Sequence, residues 1–513
     1  MIWAVFFVVS SALKSSVYKQ KSCFVNRKLL LLLRSKSRIL ENGNYIEFVS
    51  DRIFAEVSDV AAAEGVDVFV IGGYVRDRLL RRNVKKDIDF VVDGDGIDFA
   101  RKLAAHLHIK KVAIYKTYGT AMFVYDGTEL EFVGARKESY NFDSRNPMVE
   151  RGSIEDDQKR RDFTVNALAI SLNKRNFGEL IDPFDGLEDL YYRTIKTPLD
   201  PAITFSDDPL RMLRAIRFAS QLDFQIHPDC LEAICVNRKR IEIITQERIH
   251  TELNKILESK KPSVGLKLLF ETGLLEIIFP ELYQLAGVTV QDGMAHKDVF
   301  LHTIQVVDNV AQKSDDLWLR WAALLHDIGK PKTKRFVEGT GWTFYSHNTV
   351  GAKMVPKIFT RMHLPLNEKM KFVQKMVDLH MRPIALVEEI VTDSAIRRLI
   401  VDAGEDLDSL MTLCESDITS RNEKKVIMFL ENFKNVRQKI VEVEERDSLR
   451  NFQPPVSGEE IMEYFNIQPS QTVVIIKNAI REAILDGVIP NDYDKAHEYM
   501  VEKGRELGLE HKE

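Results

Sequence analysis

Two carboxylates, Asp87 and Asp89, are separated by a single residue at the start of an apolar run. Alternate side chains of a β-strand point to the same face, so both carboxylates would share one face while Ile88 and Phe90 enter the core. Carboxylate oxygens are ligands that magnesium prefers, and two magnesium ions can stabilise the attacking and leaving oxygens of an in-line displacement. We therefore predict that Asp87 and Asp89 bind Mg²⁺ in a nucleotidyl-transfer reaction.

A turn suited to phosphate binding precedes this pair. The β-branched run 66–71 predicts a buried strand that ends at Gly72 and Gly73, after which a helical segment begins. Glycines at such a junction let a phosphate approach the backbone, and a helix N-terminus favours negative charge. Arg76 and Asp77 complete the predicted nucleotide-binding turn, with Arg76 on phosphate oxygens. A Gly-Gly turn or an Asp-x-Asp pair alone is more often ordinary surface structure, but together they favour a catalytic site.

A third segment, residues 160–167, reads Arg-Arg-Asp-Phe-Thr-Val-Asn-Ala. Within it Arg161 matches phosphate, Asp162 can accept a hydrogen bond from a ribose hydroxyl, and Asn166 offers both a donor and an acceptor. With the turn and the acidic pair, this string resembles the head domain of the bacterial-type (class II) tRNA nucleotidyltransferase and poly(A) polymerase family. The resemblance implies a Mg²⁺-dependent enzyme that adds C, C and A to the tRNA 3′ end from CTP and ATP without a nucleic-acid template, releasing pyrophosphate.

Glu131 is a candidate third carboxylate of the same site. Residues 121–125 and 129–133 predict two strands joined by a hairpin turn at residues 126–127. Glu131 lies in the second strand, where it could orient or deprotonate the attacking hydroxyl, although the pattern fits an exposed strand residue equally well. The resembled family carries an acid here, usually Asp, which implies a catalytic role for Glu131.

Two further segments of the head follow. The polar stretch 136–159 predicts a long loop beside the site, and the resemblance associates an intact loop with addition of A. Residues 182–190 predict a turn followed by a short helix and match the family's next motif.

A charged helix face is predicted over residues 208–218. Ser206 or Asp207 could cap this helix, Pro209 suits its first turn, and the apolar residues between the charged ones would bury the opposite face. Four charged residues recur every third position and so share one face, either as a surface ion-pair stripe or as a binding surface: Asp208, Arg211, Arg214 and Arg217.

Base chemistry favours the binding surface. Cytosine and adenine both present an exocyclic amino donor beside a ring-nitrogen acceptor, whereas uracil and guanine reverse that order. Asp208 as acceptor with Arg211 as donor therefore matches C and A and rejects U and G. The resemblance implies that these two residues select the incoming base, and that Arg214 and Arg217 contact the triphosphate.

A second constellation lies between residues 296 and 420. His302, the doublet His326-Asp327 and the distant Asp417 each open or end an apolar helical segment, and together they form a nitrogen and oxygen set suited to Mg, Mn, Ni or Fe. A single buried His is usually structural, but the set resembles the four ligands of the HD phosphohydrolase domain. His347 and His380 would line the same cleft. The resemblance implies a second divalent metal and a metal-dependent hydrolysis of cyclic phosphates at tRNA ends or of free phosphoesters.

Composition describes a soluble globular chain with ample core. The 513 residues are 45% hydrophobic and 29% charged, and the net charge of −5 argues against a uniformly basic nucleic-acid binder without excluding a local basic groove. Four cysteines without C-x-x-C spacing indicate no disulfide framework or zinc knuckle and fit a reducing compartment. Residues 1–40 hold eight Lys/Arg and no acid. We favour a start site set too far upstream, with the cytoplasm as location; a mitochondrial transit segment is the alternative.

The predicted fold class is α+β, with a mixed β-sheet head followed by largely helical parts. The expected segments are an N-terminal extension (1–43), a nucleotidyltransferase head (44–171), a helical neck with the base-reading helix (172–295), an HD domain (296–420) and a helical, tRNA-binding tail (421–513). In the tail Ser470 replaces a glycine usual in the family, which questions the tightness of that turn, and residues 495–513 are expected to fray. No segment predicts a membrane span, and a monomer and a dimer are both compatible with the sequence.

Two rival functions stay open at this stage. The nearer one is a poly(A) polymerase, or a specialist that adds only CC or only A. The other, of a different class, is an HD phosphohydrolase that uses the head as an RNA-binding platform.

Overall fold

The structure is a computed structural model that describes residues 44–82, 87–116, 119–139, 148–292, 294–296, 298–388, 392–419, 422–447 and 453–510. The chain forms two compact units, Met1–Asp200 and Pro201–Glu513. The predicted extension 1–43 lies outside the described residues. No described helix is both long and apolar enough to cross a membrane.

The first unit is built on a seven-stranded mixed sheet, in the strand order β3-β4-β5-β2-β1-β8-β9. Strands β2 and β5 are parallel, and the other neighbours in the sheet are antiparallel. The strands of this unit are β1 Val68–Ile71, β2 Asp87–Val92, β3 Ala113–Tyr115, β4 Thr120–Tyr125, β5 Thr128–Gly134, β6 Arg136–Ser139, β7 Met148–Arg151, β8 Ala169–Ser171, β9 Leu180–Ile181 and β10 Thr194–Ile195. Its helices are α1 Arg52–Glu64, α2 Gly73–Leu79, α3 Gly96–His106, α4 Ile154–Lys159, α5 Thr164–Ala167 and α6 Gly186–Tyr192, with a 3₁₀ turn at Ile46–Val49.

An aromatic core underlies the sheet where the acidic pair lies. Phe90 of β2 stacks on Phe132 of β5 with ring centroids 4.6 Å apart, and Phe123 of β4 stacks on Phe132 at 5.5 Å. All three side chains are buried, and burying each stabilises the fold by about 1.5–3 kcal/mol. Because the side-chain period of a strand is two, this packing directs the residues beside Phe90 to the opposite face of the sheet.

Most of the elements predicted for the head are confirmed, including the helix 96–106 and the hairpin turn, where Asp126 and Gly127 both have positive φ. The long loop predicted for 136–159 is wrong at both of its ends, residues 136–139 and 148–159. Strands β6 and β7 pair antiparallel, and α4 follows them, while residues 140–147 lie outside the described part. Glu138 forms ion pairs with Arg136 and Arg160 at 2.9 and 3.1 Å, so the charges that indicated a solvated loop are paired with one another.

The second unit is largely helical. Its helices are α7 Pro201–Asp207, α8 Leu210–Leu222, α9 Pro228–Asn237, α10 Gln246–Leu257, α11 Pro262–Glu271, α12 Leu274–Ile278, α13 Pro280–Tyr283, α14 Val299–Ala311, α15 Leu317–Leu325, α16 Lys330–Thr333, α17 His347–Arg361, α18 Glu368–Leu379, α19 Met381–Glu388, α20 Asp393–Ala403, α21 Leu407–Asp417, α22 Glu423–Asp447, α23 Gly458–Phe465, α24 Gln471–Asp486 and α25 Tyr493–Glu506. Two 3₁₀ segments cover Arg238–Ile243 and Gly404–Asp406, and five short strands are β11 Gln225–Ile226, β12 Val290–Gln291, β13 Met294–Ala295, β14 Arg335–Val337 and β15 Gly341–Thr343.

Fully buried Trp321 on α15 lies at the centre of one packing cluster of this unit. Its ring lies 6.1 Å from Phe359 of α17 and 6.2 Å from Phe279, and its indole N–H donates to Asn254 Oδ1 at 2.8 Å. A satisfied indole in an apolar cluster fixes the helices that carry the histidines described below.

Residues 495–506 lie in helix α25 where fraying was predicted for 495–513, so that prediction is wrong for this stretch; residues 511–513 lie outside the described part. Ala496 and Met500 of α25 are fully buried, and a Cβ on Gly504 would meet the ring of Phe465. These three residues recur every four positions within a charged segment. Ala496 and Met500 belong to one apolar cluster with residues of α23 and α24. Ser470 has an extended backbone (φ −153°), which requires no glycine.

Candidate functional site

Three predicted carboxylates lie together on one face of the sheet. In the parallel pair of β2 and β5, Asp89 is directly opposite Glu131, and Asp87 is opposite Glu129. Ile88 and Phe90 are buried beneath, as expected from the alternation. The register of two strands therefore brings together acids that are more than forty positions apart in the sequence.

The electrostatics of this cluster favour a divalent cation. Burial raises the pKa of Asp89, the Asp87 and Asp157 carboxylates raise it further, and Arg161 opposes the shift. Burial and the Asp89 carboxylate likewise raise the pKa of Glu131. Carboxylates that destabilise one another are stabilised by a hard cation with oxygen ligands, so this donor set fits Mg²⁺.

Gly72 makes room for the cluster. It has φ +81°, and a Cβ at this position would lie 3.2 Å from Arg161 Nη1 and 3.5 Å from Asp89 Oδ2. A side chain here would be strained and would crowd both groups. Gly73 opens α2, and a Cβ there would lie 3.7 Å from Arg76 Nη2. The turn thus passes directly beside a cationic and an acidic group.

Arg76 has a different setting from the one expected for a direct phosphate ligand. It is 8% exposed, and it donates from Nη1 to Asn166 Oδ1 at 2.6 Å and from Nε and Nη2 to the two oxygens of Asp77 at 2.9 Å each. Asn166 in turn donates to Asp162 Oδ1 at 3.0 Å, and that oxygen also accepts from the Phe163 N–H at 2.9 Å. Arg76 therefore has a structural role, because it fixes Asn166, which in turn bonds to Asp162.

Arg161 is the predicted phosphate contact that points at the acidic cluster. Its Nε donates to Asp157 Oδ2 at 3.1 Å, while its Nη1 lies beside the Gly72 turn. Sequence reasoning missed Asp157, a fully buried carboxylate. The available signal was its position four residues before Arg161, the spacing at which helical side chains meet.

The predicted base-reading residues belong to the second unit. Asp208 Oδ1 accepts from the Leu210 N–H at 3.2 Å, directly before α8. Capping by Ser206 or Asp207 is wrong, because Asp207 ends α7 and Ser206 precedes it there. Arg211 is only 9% exposed, so α8 is buried on its charged side as well, and a solvated ion-pair stripe does not describe it.

Arg217 is buried and makes an ion pair and a ring contact within this unit. Its Nε lies 3.1 Å from Glu252 Oε2, both side chains are buried, and its guanidinium lies 4.2 Å from the Phe218 ring centroid. Arg214 is more exposed and lies 5.5 Å from the same ring. The two arginines therefore differ in exposure and in partners, and Arg214 is the better candidate for a nucleotide contact.

The four predicted HD ligands converge. His302 lies on α14, His326 and Asp327 directly follow α15, and Asp417 ends α21. His302 Nε2 lies 2.8 Å from Asp417 Oδ1 and 3.6 Å from Asp327 Oδ2. His326 Nε2 lies 3.3 Å from Asp327 Oδ2 and 3.6 Å from Asp417 Oδ1.

His347 and His380 join this centre, as predicted. His347 Nε2 lies 3.3 Å from Asp327 Oδ1 and 3.3 Å from His380 Nε2. Two groups of three each have all their ligand atoms within 4.8 Å of one another: His302, His326 and Asp417, and Asp327, His347 and His380. Lys330 Nζ donates to Asp327 Oδ2 at 2.6 Å.

The histidines are held so that Nε2 faces the centre. A carbonyl can only accept, so each Nδ1 bonded to a carbonyl carries the proton and leaves the Nε2 lone pair for a metal. The Nδ1 partners are Ala323 O at 2.7 Å for His326, Phe344 O at 2.9 Å for His347, Val377 O at 2.7 Å for His380 and Thr419 Oγ1 at 2.7 Å for His302.

The buried charges also fit a metal. His326 Nε2 is buried without a hydrogen bond of good geometry to any described residue. Although burial alone would lower it, the carboxylates of Asp327 and Asp417 raise the pKa of His326 to about 10. Burial and the neighbouring His326 lower the pKa of His380 to about 4. A divalent cation would take the place of the proton that these carboxylates draw onto His326.

Comparison with known proteins assigns three segments of the chain to family models. Residues 68–196 match the family model described as the Poly A polymerase head domain, 223–285 match the probable RNA and SrmB-binding site of polymerase A, and 299–407 match the HD domain. An A-adding tRNA nucleotidyltransferase of Deinococcus radiodurans is 32% identical over 344 residues, which cover 64% of this chain and 75% of that protein. A multifunctional CCA protein of Psychromonas ingrahamii is 31% identical, with 58% and 71% covered.

A solved structure shares the fold. The CCA-adding enzyme of Bacillus stearothermophilus, crystallised in complex with CTP, superposes with a TM-score of 0.64 at 22% identity, covering 89% of this chain and 99% of that one. The α+β prediction, with a mixed-sheet head followed by helical parts, is confirmed by the fold and by this similarity.

Proposed function

The chain belongs to the tRNA nucleotidyltransferase and poly(A) polymerase family and is a nucleotidyltransferase, and from this premise we propose that it adds C, C and A to the 3′ end of tRNA from CTP and ATP. The observation that carries the proposal is the shared sheet face of Asp87, Asp89 and Glu131 beside Gly72 and Arg161. Carboxylates for a metal, a guanidinium for phosphate and a glycine turn with an accessible backbone meet there, and transfer of a nucleotide from a triphosphate requires such groups.

In the proposed mechanism the tRNA 3′-hydroxyl attacks the α-phosphorus in line and pyrophosphate leaves. Asp87 and Asp89 would hold Mg²⁺, which when bound would supply charge neutralisation at the phosphates and activation of the hydroxyl. Glu131 lies where it can orient that hydroxyl or accept its proton. Its pKa is raised towards neutral pH, and a general base is most effective when its pKa lies near the working pH. Arg161 stabilises the charge that develops on the triphosphate, and Asp162 and Asn166 orient the ribose.

Base selection is assigned to α8. Asp208 and Arg211 would pair with the amino donor and ring-nitrogen acceptor that cytosine and adenine share, and Arg214 would contact the triphosphate. The small exposed fraction of Arg211 supports this role, because a desolvated guanidinium opposite a wrong donor is strongly destabilising.

The extent of addition is the open point, because relatives named for A addition and for CCA addition are both similar to this chain. A tRNA transcript that lacks its terminus, incubated with CTP and ATP together, separates the alternatives on one gel. We expect a product three nucleotides longer. A product two nucleotides longer would indicate a CC-only enzyme, a single A added only to a second transcript ending in CC an A-only enzyme, and a long ladder a poly(A) polymerase.

A second activity is supported by the histidine centre. We propose metal-dependent hydrolysis of phosphoesters, with Mg, Mn, Ni or Fe held by His302, His326, Asp327 and Asp417. The supporting observation is the buried Nε2 of His326, aimed at two carboxylates while its Nδ1 is held by a carbonyl. Metal-dependent phosphodiesterase turnover that disappears in His326→Ala is expected, whereas no metal-dependent turnover in the wild type would leave the centre a structural remnant.

The rival of another class makes the hydrolase the main activity. It predicts phosphoester cleavage without nucleotide incorporation, so both assays on one preparation decide between the two. For location we propose the cytoplasm, with a mitochondrial destination if residues 1–40 are a transit segment; mass spectrometry of the native N-terminus distinguishes these two cases.

A further inference from the structure

We propose that Asp157 positions Arg161 for the triphosphate, so that nucleotide binding in the head depends on this buried carboxylate. The inference rests on the proposed function, specifically on Arg161 as a triphosphate contact. Asp157 itself touches no substrate in this account, and it acts through the arginine it holds.

Two adjacent acids on α4 have opposite settings. Asp156 completes a capping box with Ser153, whose side chain accepts from the Asp156 N–H at 3.2 Å while Asp156 Oδ2 accepts from the Ser153 N–H at 3.0 Å. This cap satisfies backbone N–H groups at the start of the helix, and an asparagine oxygen at position 156 could accept the same hydrogen bond. Asp157 follows on the inner side and is fully buried.

Both oxygens of Asp157 are used by arginines. Oδ1 accepts from Arg160 Nε at 2.9 Å and from its Nη2, and Oδ2 accepts from Arg161 Nε at 3.1 Å. Arg160 has a second acid, Glu138, at 3.1 Å. Arg161 has no other salt bridge among the described residues. Asp157 is therefore the principal restraint on the orientation of Arg161.

The way Arg161 is held determines what it presents. A guanidinium is planar with its five donors in fixed directions, so a carboxylate at Nε fixes the plane and leaves the Nη edge for other oxygens. That edge lies at the Gly72 turn, with Nη1 3.2 Å from the position of a Cβ on Gly72, and Asp89 Oδ2 lies 3.5 Å from the same point. Without Asp157, nearby Asp89 would be the acid available to Arg161, and the arginine would then neutralise a metal ligand instead of meeting the triphosphate.

The test is steady-state ATP incorporation into tRNA ending in CC by the full chain carrying Asp157→Asn. We expect the KM for ATP and the inhibition constant of pyrophosphate to rise together by about tenfold or more, roughly the loss of one charge-assisted contact. The KM for tRNA should stay within about twofold, a range too small to signal a lost contact. Asp156→Asn is the matched control, because it removes the same charge one residue away at the cap. It should leave the KM for ATP and the inhibition constant of pyrophosphate unchanged.

A double-mutant cycle with Arg161→Lys tests whether the effect passes through Arg161. Lysine keeps the charge but lacks the fork, so adding Asp157→Asn to it should change the KM for ATP by no more than about twofold. Because Asp157→Asn leaves two arginines without their shared partner and could unfold the head, Asp157→Asn with Arg160→Gln removes one charge of each sign and should show the same rise.

Several results would overturn the proposal. They are an unchanged KM for ATP in a folded Asp157 variant, multiplicative effects of the Asp157 and Arg161 changes, or an equal loss for ATP and tRNA. Absence of incorporation by the wild-type protein would instead refute the proposed function of the head, so the two failures are distinguishable.

Discussion

The two candidate sites of this chain are built on opposite principles. In the head, acids from two strands meet on an open sheet face, where Asp87 is exposed and Asp89 half-buried. In the histidine centre, His326 and Asp327 are at most 1% exposed, and the histidines are oriented by carbonyls before any metal arrives. Magnesium commonly binds through one or two carboxylates together with substrate phosphates, whereas a closed nitrogen-rich set holds a metal by itself. The head is therefore suited to a metal that enters with the nucleotide, and the histidine centre to a resident one.

The largest expected effect is a reciprocal loss of activity. Asp87→Ala should lower nucleotide incorporation by at least about 10³-fold, because the metal stabilises the transition state by several kcal/mol. It should leave phosphoester hydrolysis intact, and His326→Ala should do the reverse.

Parallel assays of incorporation and hydrolysis on both variants check this separation. Glu129→Gln is a matched control on the neighbouring strand, because Glu129 lies opposite Asp87 but carries no predicted role. Loss of both activities in either single variant would contradict independent sites.

The next effect concerns base choice in the second unit. Arg211→Ala should relax discrimination against UTP and GTP by about 2–4 kcal/mol, or roughly 30- to 1,000-fold, since a wrong base would no longer face a desolvated cation. Arg214→Ala should weaken all nucleotides alike. The ratio of kcat/KM for each nucleotide distinguishes these outcomes, and a uniform loss in Arg211→Ala would argue against base selection by α8.

A smaller effect tests the preorganised histidine centre. Thr419 accepts from or donates to His302 Nδ1 at 2.7 Å, and removing such a partner usually lowers metal affinity or activity by about 10- to 100-fold. Thr419→Val should therefore weaken metal retention, measured as metal per chain after dialysis, without affecting incorporation. Unchanged retention would mean that the hydroxyl does not orient the ligand.

The smallest effect distinguishes backbone strain from steric crowding of the site at the Gly72 turn. Gly72→Ala and Gly127→Ala each place a side chain at positive φ, +81° and +74°, but only the Cβ at residue 72 would have neighbours within 4 Å. Gly127→Ala should lower the free energy of unfolding by about 1–2 kcal/mol. Gly72→Ala should lower it by at least as much, because its ψ of −134° lies outside the left-handed helical region, and it alone should also lower incorporation. Chemical denaturation with activity assays on both variants checks this, and equal activity would show that the turn tolerates a side chain.

The sequence predicted what depends on local period and on residue type. Asp87 and Asp89 share a face because strands alternate, and the HD ligands were recognised by their order along the chain. It did not predict contacts set by packing. Asp157 carried no predicted role, Arg76 was expected on phosphate oxygens but donates to Asn166, and Arg217 was expected to contact the triphosphate but pairs with Glu252. Charged composition also concealed the strand pair β6–β7 and the buried face of α25, where a few residues pack while their neighbours remain solvated.

The most direct measurement is the length of the product formed from a tRNA transcript without its 3′ terminus, with CTP and ATP, by the wild-type protein and by Asp89→Ala. The account predicts an extension of three nucleotides, C, C and A, by the wild type and none by the variant. Extension that persists in Asp89→Ala would contradict the assignment of the reaction to the acidic face of the sheet.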